Sequence, residues 1–111
     1  MVNVIGLGYI GLPTALMLAS HGINVVGSDY NENIVETLRS GQTTFKEKGM
    51  DELFSSAVEN GIQFETSYIN TDCYIVSVPT PYDKFSKKID AKYVVAAVSE
   101  VLKVAEKYAI V

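Results

Sequence analysis

Val2-Asn3-Val4-Ile5-Gly6-Leu7-Gly8-Tyr9-Ile10-Gly11 decides the fold. The first four residues are mostly β-branched and end on a glycine, the pattern of a short buried strand. Gly6, Gly8 and Gly11 then fall at the G-x-G-x-x-G spacing. Each glycine answers a physical demand. The first permits a tight turn out of the strand. The second lets a pyrophosphate approach the backbone, because a Cβ would collide with it. The third lets the next helix pack close to the sheet. The N–H groups at the start of that helix lie at the positive end of its dipole and suit a phosphate.

Alone the spacing is a weak signal, so its context matters. Downstream, Leu12, Leu16 and Ala19 recur at helical spacing between Tyr9 and His21, with Pro13 in the first turn and Gly22 as the left-handed stop. Asn24 to Ser28 reads as a second strand. Asn31 to Arg39 reads as a helix with Ile34, Val35 and Leu38 on one face. The segment from Gln42 to Gly49 is polar and irregular. Met50 to Asn60 predicts a third helix with Leu53, Phe54, Ala57 and Val58 as its apolar stripe, and Ile62 to Glu65 a short strand. Cys73 to Val78 is an apolar strand stopped by Pro79, and a polar loop follows. Asp90 then caps a long helix on which Val94, Val95, Val98, Val101, Leu102 and Ala105 share a face. Ala109-Ile110-Val111 reads as the opening of a fifth sheet strand.

Strand and helix alternate throughout, which implies right-handed crossovers and a parallel sheet. The fold class expected is α/β, a Rossmann-type doubly wound sheet of order 3-2-1-4 with the fifth strand cut short. The 111 residues suffice for one domain, here 1–111, read as a fragment of a longer protein. A net charge of −4 argues against nucleic acid. No apolar run approaches the ~20 residues that span a bilayer. The single cysteine, Cys73, starts an apolar strand and reads as a packing residue in a cytoplasmic, reducing setting.

Asp29 ends the second strand 18 positions beyond Gly11. Its carboxylate can accept hydrogen bonds from the adenosine ribose hydroxyls and would repel a 2′-phosphate, so NAD is favoured over NADP. Arg39, a full helix later, is too far along to serve a 2′-phosphate. Val78-Pro79-Thr80-Pro81 leaves the strand expected beside the first one. The carboxyl ends of those two strands flank the switch point where open α/β sheets bind ligands, which puts Thr80 near the cofactor.

The glycine loop and the Val-Pro-Thr-Pro loop together resemble the nucleotide-sugar 6-dehydrogenases, the UDP-glucose and GDP-mannose dehydrogenase family. The resemblance runs from Gly6 to Ala15, through Asp29 and the middle segment, to Val78–Pro81 and Asp90. The Tyr9–Pro13 and Asp90–Val94 stretches look most like the branch acting on UDP-N-acetylmannosamine, with the UDP-glucose and UDP-N-acetylglucosamine branches as alternatives. The resemblance implies oxidation of the C6 alcohol of a UDP-sugar to a carboxylate with two NAD. It also implies NAD contacts from the backbones of Tyr9 and Ile10, from Asp29 and from Thr80. The family's catalytic groups and most of its UDP-sugar site lie beyond residue 111, so no catalytic or metal residue is expected here. The family usually carries Glu-Pro-Gly-Leu before the third helix; this chain has Glu47-Lys48-Gly49-Met50, without the proline.

His21 suits a helix C-terminus, where positive charge is favoured. Lys84, Lys87, Lys88 and Lys92 form a basic cluster in the loop and helix start, more suited to solvent than to a site. The tyrosines at 68, 74, 82, 93 and 108 read as scattered. A regulatory dinucleotide-sensing module and a dehydrogenase of 3-hydroxy acids are the competing functions. The first lacks the helix at 50–60 and the Pro-Thr-Pro loop, and the second has no need of the long Gln42 to Gly49 insertion. The short fifth strand leaves an apolar sheet edge, from which a homodimer is expected.

Overall fold

A computed structural model describes residues 1–78, 82–83, 88–89 and 92–104. The elements follow in the order β1 (Val2–Ile5), α1 (Gly11–Ser20), β2 (Val25–Ser28), α2 (Glu32–Arg39), α3 (Met50–Glu59), β3 (Gln63–Glu65), β4 (Cys73–Val76), β5 (Tyr82–Asp83), β6 (Lys88–Ile89) and α4 (Lys92–Val104). The four principal strands form a parallel sheet in the order β3-β2-β1-β4, as the alternation of elements requires. Val2 pairs with Val25 on one side and Cys73 on the other, so β1 is central in this sheet. Where a polar loop is expected, β5 and β6 pair antiparallel. Two residues per strand are too few to show an alternation in sequence. Thr80, Lys84, Lys87, Asp90 and the strand opening at 109–111 lie outside the described residues. So does the ground for self-association. For Lys88 and Lys92 only the backbone is described.

Successive residues of a strand face opposite sides, and β1 shows the consequence. Val4 joins a core with Leu12, Leu16, Val35, Leu38 and Phe54, which places α1, α2 and α3 on its side. Ile5 joins Tyr74, Ala97 and Val101, which places α4 on the other. The chain therefore changes face between β4 and α4.

The buried stripes differ in detail from those expected. In α3 it is Met50, Phe54 and Ala57, while Val58 is half exposed. In α4 Ala97 and Val101 are buried, while Val95 and Leu102 point outward. Apolar residues spread too far round both helices for the sequence to fix the inward direction. Cys73 is only half-buried; the packing role in β4 falls to Tyr74. Asn31 caps α2 rather than opening it, its side chain accepting from the N–H groups of Asn33 and Ile34 at 3.0 and 3.4 Å. His21 ends α1 as expected, with Nδ1 2.8 Å from the Met17 carbonyl.

Buried polar side chains do what apolar patterning cannot report. Asn3 is fully buried in β1. Its Nδ2 donates to the Val26 carbonyl and to Ser28 Oγ, at 3.0 and 2.8 Å, and its Oδ1 accepts the Ile69 N–H at 3.0 Å. Ser28 Oγ donates on to the Ser67 carbonyl at 2.9 Å. The Tyr74 hydroxyl accepts from the Thr71 N–H at 2.9 Å. The β3–β4 connection is thus fastened to the sheet at three points. Asn60 does the same for α1, donating to the carbonyls of Ala19 and Ser20.

The missing proline leaves the turn before α3 intact. The Met50 N–H donates to the Glu47 carbonyl at 3.1 Å. Gly49 has φ 81° and ψ −3°, the values of the third residue in a type II turn. Lys48 therefore occupies the second position, where proline is favoured. Lys48→Pro is expected to stabilise the chain by about 0.4–1 kcal/mol through the unfolded state. Urea denaturation checks it; a lower midpoint would mean the turn is of another type.

Candidate functional site

The glycine loop is shaped by close approach. Gly6 has φ +91°, and a Cβ there would lie 2.5 Å from the Ser77 carbonyl oxygen at the exit of β4. Only glycine lets the two strand ends come so near. At Gly11 a Cβ would overlap the Gly6 carbonyl oxygen. The third glycine thus serves the loop's own closure more than helix-to-sheet packing, which corrects the sequence expectation. Gly8 is different. Its φ is not positive, and a Cβ there would meet nothing within 4 Å. Among the described residues, no atom requires a glycine at that position. A ligand approaching the backbone would, so the loop fits a pyrophosphate.

The start of α1 agrees. Ile10 gives no side-chain cap and the first turn holds no acidic residue. Neither a side-chain cap nor a first-turn acid offsets the positive end of the helix. Tyr9 and Ile10 are largely exposed there. The Tyr9 ring tilts against Phe45 with centroids 4.7 Å apart, joining the glycine loop to the α2–α3 connection.

Asp29 lies next to this loop, and its arrangement goes beyond the expected ribose contact. Oδ2 accepts the Leu7 N–H at 2.9 Å, and Oδ1 accepts the Asn31 N–H at 2.9 Å. The carboxylate fastens the glycine loop to the end of β2 before any ligand arrives. The Leu7 side chain is fully buried beside Gly27, where a Cβ would come within 2.9 Å of it. Gly27 is a close-packing glycine outside the motif, and its signal in sequence was only a glycine within a strand. Arg39 is engaged elsewhere: it donates to the Phe64 carbonyl at 2.8 Å and to Glu65 at 2.7 Å.

Asp29 and Gly6 border a cleft of about 470 Å³ at the point where the chain changes face. Val78, Tyr30, Tyr68 and Ala97 complete much of its wall. The volume is within the range of small-ligand sites. Tyr68 stacks on Tyr30, centroids 5.1 Å apart and planes at 14°. Burial, then a hydrogen bond with Tyr30, pushes the Tyr68 hydroxyl pKa well up. The sequence reading, which took the tyrosines as scattered, missed this pair. Thr80 lies outside the described residues, two positions beyond Val78.

A family model described as the UDP-glucose/GDP-mannose dehydrogenase family, NAD binding domain, matches residues 1–111. The chain belongs to this family, as its NAD-binding domain. Among its relatives, the UDP-N-acetyl-D-mannosamine dehydrogenase of Methanococcus maripaludis strain S2 is 45% identical over 105 residues, covering 91% of this chain and 25% of that protein. The enzyme of the same name from Salmonella typhi is 39% identical over 111 residues, covering 99% and 26%. The native structure of the UDP-N-acetyl-mannosamine dehydrogenase of Staphylococcus aureus superposes with a TM-score of 0.92 at 35% identity, covering 98% of this chain and 27% of that one. The chain thus spans about a quarter of the length of the relatives it matches.

If Asp29 is both latch and ribose acceptor, its removal acts on two parts of a ligand. Asp29→Ala is expected to narrow any preference for NAD over NADP. It is also expected to weaken 2′,3′-dideoxy-ADP, which has no ribose hydroxyls to lose, by about tenfold, as for hydrogen bonds to a charged group. Titration calorimetry separates the two. Unchanged binding of the dideoxy ligand would show that the latch is dispensable.

Proposed function

We propose that this domain holds NAD for the oxidation of UDP-N-acetylmannosamine at its C6 alcohol, within the dehydrogenase to which it belongs. The observation that carries the NAD placement is one glycine loop that holds the open Gly8 and leads into the uncapped start of α1, while its Gly6 borders a cleft together with Asp29. The several relatives named for UDP-N-acetyl-D-mannosamine support the choice of sugar.

The residue roles follow from charge and shape. The backbone from Gly6 through Gly11 receives the pyrophosphate: Gly8 keeps its path open, and the N–H groups of Tyr9 and Ile10 face it at the positive end of α1. Asp29 receives the adenosine ribose hydroxyls on the carboxylate lone pairs that Leu7 and Asn31 leave free. Thr80 serves the cofactor from the exit of β4. NAD supplies a hydride acceptor, and taking an alcohol to a carboxylate requires two of them in succession. The groups that position and deprotonate the sugar belong to other parts of the enzyme.

Gly8→Val places a branched side chain in space that no atom of the described residues occupies. NAD binding is expected to be lost while the circular dichroism spectrum stays near that of the parent. Tight binding by the variant would remove the loop from the site. For the whole enzyme, two NADH per UDP-N-acetylmannosamine are expected, with slower turnover of UDP-glucose, while the 111-residue chain alone forms none. One NADH per sugar, or faster turnover of UDP-glucose, would contradict this reading.

A further inference from the structure

We propose that the Arg39 side chain is a guard on the open edge of β3, and that it keeps the chain from pairing through that edge with a second copy of itself.

Among the described residues β3 is an outer strand of the sheet, with β2 on its inner side and no strand beyond it. The Glu65 carbonyl accepts the Asp29 N–H on the β2 side at 3.1 Å. Backbone groups of successive residues in a strand point to opposite sides, so the N–H and carbonyl of Phe64 are directed outward. The Phe64 ring lies in the core, stacked on Phe54 with planes at 5°, which leaves the strand no freedom to turn these groups inward. An outward carbonyl beside an outward N–H is a template for another strand. Two copies meeting antiparallel at Phe64 would exchange both bonds, so a two-fold pairing of identical edges is the simplest way to fill it. Leu38, Val58 and Ile62 line a hollow of about 400 Å³ along this edge, which would receive side chains of the incoming strand.

Arg39 closes the template. It is the last residue of α2. Its Nε donates to the Phe64 carbonyl at 2.8 Å, and its Nη2 donates to the Glu65 carboxylate at 2.7 Å. The planar fork serves a carbonyl and a carboxylate at once, which a lysine ammonium does only as a point charge. Glu65, next in the strand, thus holds the guanidinium across the edge. An incoming strand would have to displace the bond to Phe64 and settle against a charge. Folding stability does not explain the arrangement. The side chains of Arg39 and Glu65 are 50% and 39% exposed, and ion pairs so placed contribute little to it. A cation held on the outward carbonyl of an edge strand does, however, answer the hazard that such an edge creates.

The test is the self-association of the 111-residue chain and two variants, followed by sedimentation velocity across a concentration series. Arg39→Ala removes the guard and keeps a good helix former at the end of α2. It is expected to raise the self-association constant about tenfold over the parent's, the scale of one hydrogen bond to a charged group. The thermal midpoint at low concentration should stay near the parent's. Pairing centred on Phe64 places Gln63 opposite Glu65 of the second copy, on the same face. Arg39→Ala combined with Gln63→Glu therefore sets like charges against each other and should return association to the parent's level. An Arg39→Ala chain that associates no more than the parent overturns the proposal. Association that persists with Gln63→Glu also overturns it, because the contact would then lie on another surface. So does association that appears only with loss of the folded circular dichroism spectrum.

Discussion

The Asp29 carboxylate, accepting the N–H groups of Leu7 and Asn31, is the contact on which the site depends. A loop with glycines at three of six positions is intrinsically loose, and ordering it on binding would consume affinity. Here it is ordered in advance. Gly6 turns it out of β1, the Leu7 side chain is sunk in the core against Gly27, and Gly11 closes on the Gly6 carbonyl. Asp29 holds the backbone between these points. A neutral side chain of the same length would form weaker bonds, because a charged acceptor contributes roughly twice as much.

The second constraint is the alternation of β1. Val4 and Ile5 face opposite layers, and α1 to α3 pack on one while α4 packs on the other. The cleft opens where those layers part, at the carboxyl ends of β1, β2 and β4. The buried side chains of Asn3 and Ser28, bonded to each other and to the backbones of Ile69 and Ser67, hold the β3–β4 connection in place. One network thus ties sheet order to the wall of the site.

Much of this was legible in the residues. Strong signals gave the principal elements: β-branched runs for β1, β2 and β4, glycine stops at Gly22, Gly41 and Gly61, and the motif spacing of the loop. Asp29 was legible by its place after β2. What was hidden depends on three-dimensional approach. Gly27 and the Tyr30–Tyr68 pair involve partners 20 and 38 positions away in the chain, Leu7 and Tyr68, and no local pattern reports such contacts. The latch role of Asp29 was hidden for the same reason. The inward faces of α3 and α4 were blurred because apolar residues continue round both helices. The proline missing at position 48 does not undo the turn, because Gly49 supplies the left-handed conformation it requires.

The most direct measurement is a titration of the isotopically labelled chain with NAD, following backbone amide resonances. The account predicts that the largest shifts fall on Leu7 through Gly11 and on Asp29 to Asn31. The Leu7 amide should already be protected from hydrogen exchange before NAD is added, because Asp29 holds it. Shifts centred instead on the polar hollow between Gly41 and Ser55, or a Leu7 amide that exchanges freely until NAD binds, would contradict it.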